Sequence, residues 1–263
     1  MHGLIDVGNT RIKYLPHAAV ALNACQDYQA IMHDQVDVLI EHLAQQNVSK
    51  ITIASVRALP VTQRLIDWAA HHQITLQRVQ VNPTYLAVNY RHVDQFGVDR
   101  YLGLLAAKAV HQQNFCVVSA GSAITLDFFG QTHLGGMILP GIGTSLSCLQ
   151  EKTGLASIRE PDALLGNDTA SSIGAGIYQG YSRLVAASIA DVSAAYQQSF
   201  QVVLTGGDAD YIAKYLTNDT TKDATGATKD ATKGGLLAKV TIKPNLVFEG
   251  MHVYLSMMEN GAV

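Results

Sequence analysis

Asp6 lies near the end of a short apolar stretch, and the turn residues Gly8, Asn9 and Thr10 come after it, with Lys13 three residues further on. A glycine turn lets an anion approach backbone N–H groups, and the neighbouring side chains add hydrogen-bond donors and a positive charge. A carboxylate here would repel a phosphate unless it held a hard cation such as Mg²⁺ against the phosphate oxygens. The segment therefore predicts phosphate and Mg²⁺ binding. The alternative is an ordinary hairpin turn with an exposed aspartate.

A second candidate site pairs a carboxylate with a guanidinium, in the run Gly97, Val98, Asp99 and Arg100 at the junction of a polar loop and a helix. Asp99 could orient a substrate hydroxyl and accept its proton, while Arg100 could bind a carboxylate or another anion. The pKa of an alcohol lies far above that of aspartate, about 3.9, so proton transfer must come late in the reaction. Positioning and charge neutralisation would then drive phosphoryl transfer. The alternative is that Asp99 caps the helix and Arg100 points into solvent.

Two shorter motifs lie in the second half of the chain. Gly206 and Gly207 come between a strand and a helix, where they could pack against a flat adenine ring; the alternative is an ordinary turn. Thr169, in the run Asn167, Asp168 and Thr169, precedes a long helix, and its alternative role is that of an N-terminal cap.

Several common catalytic signatures are absent from the sequence. There is no G-x-x-x-x-G-K-[ST] phosphate loop and no H-E-x-x-H zinc motif. Gly174 and Gly176 are followed by another glycine only at Gly180, so the dinucleotide-binding fingerprint is not met. The run around Ser122 does not match the G-x-S-x-G elbow of α/β-hydrolases.

The elements that must position these residues alternate between strand and helix, which predicts an α/β fold. Apolar runs and period-two alternation predict strands at 4–7, 10–14, 51–56, 76–81, 115–118, 124–128 and 201–205. Helical spacing and breaker residues predict helices at 36–47, 60–72, 100–112, 173–198 and 208–216, and from residue 250 onward.

The two halves of the chain open in a similar way. Residues 5–10 and residues 118–123 each combine an apolar strand end with a polar residue, an apolar one and a glycine, and a second strand follows each. This echo predicts two similar subdomains with a ligand cleft between them, although two strand–glycine hairpins can also arise by chance.

Composition narrows the classes of function. The chain has 263 residues, 48% of them hydrophobic, a net charge of −3 and three cysteines without a C-x-x-C pair. The charge argues against a nucleic-acid scaffold, and no apolar run approaches the roughly 20 residues of a membrane span. With neither a signal sequence nor a disulfide framework in view, we expect a cytoplasmic protein. Residues 217–235 contain the repeat TKDAT and predict a flexible surface insertion; the alternative is a partner-binding segment.

Taken together and in order, these motifs resemble the type III pantothenate kinases, which belong to the actin-like, sugar-kinase-like ATPase superfamily. The resemblance rests on Asp6 to Thr10 with Lys13, Gly97 to Arg100, Gly121 to Ala123, Gly135 to Gly141, Asn167 to Thr169, and Thr205 to Ala209. It implies two RNase H-like (actin-like ATPase) subdomains with a cleft between them, at residues 1–114 and 115–263. It also implies ATP-dependent phosphorylation of pantothenate to 4′-phosphopantothenate, the first step of coenzyme A biosynthesis.

The resemblance assigns roles to individual residues. Asp99 resembles the catalytic base, and Asp6 the Mg²⁺ ligand. The residues that resemble ATP and phosphate contacts are Asp6, Val7, Gly8, Asn9, Thr10, Arg11, Ile12, Lys13, Gly121, Ser122, Gly206 and Gly207. The residues that resemble pantothenate contacts are Tyr90, Gly97, Val98, Asp99, Arg100 and Thr169. The family also implies a homodimer.

One departure from the family pattern concerns the monovalent cation. Many members carry aspartate at the position of Ser119, where it binds an activating ion such as K⁺ or NH₄⁺. Serine offers a neutral oxygen, so the sequence predicts weak activation by this ion. Two other functions on the same fold remain as alternatives: an ATP or polyphosphate hydrolase, and a catalytically silent nucleotide-binding regulator.

Overall fold

The computed structural model describes residues 1–21, 27–56, 59–155, 157–160, 163–218 and 237–261. The chain forms two compact units: unit 1 comprises Met1–Gln112, Thr132–Gly135 and Asn245–Val263, and unit 2 comprises Gln113–Gln131 and Gly136–Pro244. The assignment of residues 1–114 and 115–263 to two subdomains stays a prediction. Most of the predicted insertion at 217–235 lies outside the described residues.

Unit 1 contains a five-stranded sheet in the order β3-β2-β1-β4-β5. Its strands are β1 (His2–Val7), β2 (Arg11–Pro16), β3 (Gln29–Met32), β4 (Lys50–Ser55) and β5 (Thr75–Arg78). Its helices are α1 (Val36–Gln45), α2 (Pro60–His71), α3 (Val98–Val110) and α8 (Leu246–Glu259). β1 pairs antiparallel with β2 and parallel with β4, and β4 pairs parallel with β5.

Local signals explain the helices of unit 1. The first helical residue of α2 is Pro60, where the missing N–H costs nothing. α1 buries Val36, Leu39 and Leu43, at the spacing of one helix face, into the same apolar cluster as Ile5 of β1. The sheet and helices α1 and α2 therefore share one core.

The closing helix α8 packs on α3, the helix that carries Asp99 and Arg100. The two backbones meet at Gly250, where any Cβ would overlap the carbonyl group of Leu102. α8 begins at Leu246, four residues before the start that the sequence predicts. Glycine at position 250 is therefore a point of close helix approach rather than a helix start.

Unit 2 repeats the topology of unit 1. Its sheet has the order β10-β9-β6-β7-β8, from β6 (Phe115–Ala120), β7 (Ala123–Phe129), β8 (His133–Pro140), β9 (Phe200–Thr205) and β10 (Leu237–Ile242). β6 pairs antiparallel with β7 and parallel with β9, as β1 does with β2 and β4. The predicted echo is therefore a repeated fold, and the predicted α/β class is confirmed.

Unit 2 differs from the sequence prediction in one predicted helix and in two elements that are not predicted. Its helices are α4 (Ile142–Thr153), α5 (Thr169–Gly174), α6 (Gly180–Tyr196) and α7 (Ala209–Asn218). A π-helical turn, Ala175–Gln179, joins α5 to α6, so the predicted helix at 173–198 starts earlier and has an irregular turn. Neither β8 nor α4 is predicted from the sequence, because glycines and Pro140 there look like breakers. Gly135, at φ +137°, lies within β8 all the same.

In the part of the chain that the structure describes, no helix has both the length and the apolar character that a membrane crossing requires.

Candidate active site

The β1–β2 hairpin of unit 1 carries the first predicted site. Asp6 lies directly opposite Lys13 in the antiparallel ladder, and the Lys13 ammonium is 3.5 Å from a carboxylate oxygen of Asp6. The Gly8 N–H closes the turn by donating to the carbonyl oxygen of Arg11, at 3.0 Å. Since that N–H is engaged, an anion at this turn would use the N–H groups that follow it.

Asp6 is a buried carboxylate, with 5% of its surface exposed. Burial raises the pKa of Asp6 above its ordinary value; Lys13 opposes the rise, and the negative charge of Asp99 adds to it. Asp6 and Asp99 therefore belong to one electrostatic neighbourhood within unit 1. A buried carboxylate that has a second carboxylate nearby suits a metal cation.

The other residues of the hairpin differ in whether their side chains are buried or exposed. Val7 and Ile12 are fully buried in the core, so only their backbone atoms are available to a ligand. Asn9, Thr10 and Arg11 are exposed. Their side chains are open to a ligand, and that of Lys13 is partly exposed.

His33 is a neighbour of the hairpin that the sequence does not suggest. Its Nε2 lies 2.9 Å from the carbonyl oxygen of Gly8, within hydrogen-bond distance. His33 follows directly after β3, a four-residue edge strand without a clear sequence pattern. The tip of the turn is thus held from both sides, by Arg11 and by His33.

Asp99 lies in the first turn of α3, where the helix dipole favours a negative charge. The N-cap residue is Gly97, so the alternative in which Asp99 is the cap is wrong. A Cβ at position 97 would lie 2.6 Å from Oδ1 of Asp99. The absence of a side chain at Gly97 therefore leaves the space that the Asp99 carboxylate occupies.

Arg100 lies against aromatic rings and is 7% exposed, so the alternative in which it points into solvent is also wrong. Its guanidinium carbon is 4.5 Å from the ring centroid of Phe96 and 5.8 Å from that of Tyr90. Phe96 and Tyr90 meet edge to face. Stacking on rings restrains the plane of the guanidinium, which favours recognition of a carboxylate by two parallel hydrogen bonds. Val98, between Gly97 and Asp99, is buried and offers a ligand only its backbone.

In unit 2, three loops meet at the ends of the central strands. The carbonyl oxygen of Ser122 accepts hydrogen bonds from the N–H of Gly141, at 3.0 Å, and from the Thr144 hydroxyl, at 2.6 Å. Any Cβ at Gly141 would overlap the carbonyl oxygen of Gly121. The exposed Ser122 side chain therefore sits on a turn that the start of α4 holds in place.

The third loop follows β9. Gly206 has φ +97°, and a Cβ there would overlap the carbonyl group of Ala120. The N–H of Asp208 donates to the same carbonyl oxygen, at 3.0 Å. Gly207 is exposed, and a Cβ there would contact nothing. The backbone conformation thus requires glycine at position 206, whereas Gly207 lies on an open surface.

Thr169 is the first residue of α5 and is exposed. The cap of this helix is Asp168, whose carboxylate accepts a hydrogen bond from the N–H of Ser171 at 2.7 Å. This hydrogen bond lowers the pKa of Asp168, and the ion pair with Arg159 adds to the effect. The alternative role of Thr169 as a cap is therefore wrong, and its hydroxyl is not used in that way.

Ser119 pairs in register with Thr125 on one side and Thr205 on the other, so the three side chains share a face of the sheet. Thr125 is 8% exposed, and its hydroxyl has no hydrogen-bond partner among the residues that the structure describes. The surroundings of Ser119 thus offer further neutral oxygens. Across the described ranges, no group of three or more histidine, cysteine, aspartate or glutamate side chains is arranged to hold a metal ion.

Comparison with known proteins identifies the family. The sequence profile of type III pantothenate kinases matches residues 4–191. A type III pantothenate kinase from Dichelobacter nodosus is 33% identical, over 97% of this chain and 98% of its own. The chain belongs to the type III pantothenate kinase family. Another member of the family, from Acinetobacter baylyi, is 32% identical over 81% of this chain and 88% of its own.

Solved structures show the same fold at lower identity. A Campylobacter jejuni protein described as a Baf family transcriptional activator superposes with a TM-score of 0.60 and 20% identity, over 99% of this chain and all of that one. A Sinorhizobium meliloti protein described as a 2-dehydro-3-deoxygalactonokinase superposes with a TM-score of 0.56 and 12% identity, over 99% of each chain. These likenesses show that the chain shares its overall fold with both proteins.

Proposed function

We propose that this chain transfers the γ-phosphoryl group of ATP to the hydroxyl of pantothenate, giving 4′-phosphopantothenate and ADP, the first step of coenzyme A biosynthesis. The observation that carries the proposal is the arrangement at the start of α3. There, Asp99 interacts electrostatically with Asp6, and the next residue, Arg100, stacks on two aromatic rings. This arrangement occurs in a chain whose relatives are named pantothenate kinases.

Each part of the arrangement matches a need of the reaction. The guanidinium of Arg100, with Tyr90, Gly97, Val98 and Thr169, binds pantothenate through its carboxylate and polar groups. Asp99 orients the attacking hydroxyl and accepts its proton late, as the new oxygen–phosphorus bond forms and the bond to the ADP oxygen breaks. Since the aspartate is a weak base, its main contribution is to position the hydroxyl.

The phosphate-binding residues act by charge and by N–H donors. Lys13 and the exposed Asn9, Thr10 and Arg11 of the hairpin face the phosphates, with the Gly121–Ser122 turn as a second phosphate loop. The turn formed by Gly206 and Gly207 lies against adenine, with Gly207 on its open side. The buried Asp6 suits Mg²⁺, which supplies charge neutralisation on the phosphate oxygens when bound. A site with one carboxylate fits this ion, because Mg²⁺ usually binds one or two carboxylates together with substrate phosphates.

Three further proposals go beyond the ATP and pantothenate contacts. The enzyme is a homodimer, it works in the cytoplasm, and a monovalent cation such as K⁺ or NH₄⁺ activates it weakly because Ser119 is neutral. Light scattering during size-exclusion chromatography measures the first directly.

A coupled assay for ADP tests the proposed reaction. The purified chain should release ADP with Mg²⁺ and pantothenate, and far less with glucose or with no acceptor. Mass spectrometry should find 4′-phosphopantothenate in an amount equal to the ADP. ADP release that does not depend on pantothenate would contradict the proposal and indicate a hydrolase, and no release with any acceptor would indicate a silent nucleotide-binding protein.

A further inference from the structure

His133 is a buried residue that neither the sequence motifs nor the proposed mechanism uses. It opens β8, in the short segment Thr132–Gly135 that belongs to unit 1, and is 2% exposed. Burying a polar ring costs free energy unless hydrogen bonds and packing offset the cost. Its contacts with Asn89 and Phe96 both lead toward Arg100.

The first partner is the chain segment just before Tyr90. The backbone N–H of Asn89 donates to Nδ1 of His133 at 3.1 Å. The Asn89 side chain donates from Nδ2 to the carbonyl oxygen of Leu134 at 2.9 Å. Asn89 is therefore fixed by the two hydrogen bonds that it donates to adjacent residues of β8. The backbone that leads into Tyr90 is fixed with it.

The second partner is the ring of Phe96. The His133 and Phe96 rings meet edge to face, with centroids 5.4 Å apart. Phe96 is the ring closest to the Arg100 guanidinium, and it also contacts Tyr90. His133 therefore contacts Phe96 directly and holds Tyr90 through Asn89. These two rings are the aromatic walls that flank Arg100.

These contacts also determine the state of the imidazole. Because Nδ1 accepts the Asn89 N–H, it carries no proton, and the ring proton lies on Nε2. The Asn89 N–H therefore needs a hydrogen-bond acceptor at the δ position of residue 133. Asparagine can supply an oxygen at that position, whereas the polar atoms of glutamine lie one bond further out.

We propose that His133 is a positioning residue for the acceptor substrate: through Nδ1 and its ring edge it sets the aromatic walls that orient Arg100 toward the carboxylate of pantothenate. The inference rests on the proposed function, since it concerns that substrate. His133 itself is buried and does not contact the reacting atoms. Small displacements of positioned groups have large kinetic effects, on the order of 10²-fold for a shift of about 1 Å.

The test compares His133→Gln, His133→Asn and His133→Ala in the full chain, with His71→Gln as a matched control on the exposed end of α2. We expect His133→Gln and His133→Ala to raise the KM for pantothenate about tenfold or more while the KM for ATP stays within about twofold. His133→Asn should recover most of the loss, and His71→Gln should match the unmodified chain. A purely structural role would lower stability and change both KM values together.

A second variant keeps the inference testable if a buried His133 substitution does not fold. Asn89→Ala removes only the side-chain bond to Leu134 from an exposed residue, and should raise the KM for pantothenate several-fold with an unchanged melting temperature. Unchanged pantothenate KM in the folded variants would overturn the inference, as would equal damage in His133→Asn and His133→Gln. In both cases pantothenate-dependent ADP release by the unmodified chain would show that the proposed function itself still holds.

Discussion

Asp6 and Asp99 interact electrostatically, although 92 residues separate them in the sequence: burial raises the pKa of Asp6, and the negative charge of Asp99 adds to the rise. Asp6 is the second-last residue of β1, while Asp99 lies in the first turn of α3. Two carboxylates that share one neighbourhood are costly for the folded protein, because burial and mutual repulsion both disfavour their ionised forms. Such a cost is expected where a positively charged ligand completes the site.

Asp6→Asn should therefore stabilise the protein while abolishing activity. Burial raises the pKa of Asp6, so the ionised carboxylate is disfavoured in the folded state relative to the unfolded one. The resulting penalty is absent below the ordinary pKa of aspartate, grows as the pH rises, and is complete above the raised pKa.

The measurement is the melting temperature at pH 7 and at progressively lower pH, without nucleotide or Mg²⁺. Asp6→Asn should melt higher at pH 7, and its advantage should vanish at acidic pH, where both chains carry a neutral group at position 6. Asp34→Asn, at an exposed aspartate, serves as the control. A lower melting temperature for Asp6→Asn at pH 7 would show that Lys13 outweighs the burial of the carboxylate.

Asp99→Asn tests the catalytic base. We expect kcat to fall by on the order of 10²-fold or more, since the amide cannot accept the hydroxyl proton. ATP binding, measured by calorimetry, should be kept. Near-normal turnover would show that Asp99 has been assigned the wrong role.

Gly97→Ala tests how the base is held in place. The new methyl group would lie 2.6 Å from Oδ1 of Asp99, so the carboxylate must move, although the backbone at Gly97 suits alanine. We expect kcat to fall about tenfold with a nearly unchanged melting temperature. Gly143→Ala is the matched control, because a Cβ there contacts nothing. Equal activity in the two variants would remove the proposed role of Gly97.

Local features of the site could be predicted from the sequence. The turn after Asp6 follows from glycine and from the alternation of β2, and the start of α2 follows from Pro60. The topological repeat was also visible, because each unit opens with the same strand–glycine–strand pattern. These predictions depend on residues that are close in the chain, so short-range chemistry determines them.

The environment of the site could not be predicted in the same way. Stacking of Arg100 on Phe96, and the hydrogen bond between His133 and Asn89, join segments that only tertiary packing brings together. The sequence does not predict β8, because Gly135 and Gly136 look like breakers, so it assigns His133 to no strand or helix. The same applies to His33, which follows a short edge strand.

Gly206→Ala and Gly207→Ala separate a structural glycine from one that faces a ligand. Gly206 has φ +97°, and its Cβ would overlap the carbonyl group of Ala120, so alanine should cost about 1–3 kcal/mol or more of stability. Gly207→Ala should fold normally and raise the KM for ATP, if adenine packs on this surface. Thermal unfolding and steady-state kinetics measure the two effects. An unchanged KM for ATP in Gly207→Ala would exclude adenine from that position.

Weak activation by K⁺ is the last prediction, and it follows from the side chains around Ser119. Ser119, Thr125 and Thr205 share one face of the unit 2 sheet, so this part of the face offers neutral hydroxyl oxygens. Neutral oxygens bind a weakly hydrated cation less strongly than a carboxylate does. Initial rates in KCl, NH₄Cl and NaCl at equal ionic strength should therefore differ little for the unmodified chain, and Ser119→Asp should increase the preference for K⁺. A steep K⁺ requirement in the unmodified chain, not met by Na⁺, would show that hydroxyl oxygens suffice and that the charge argument is wrong.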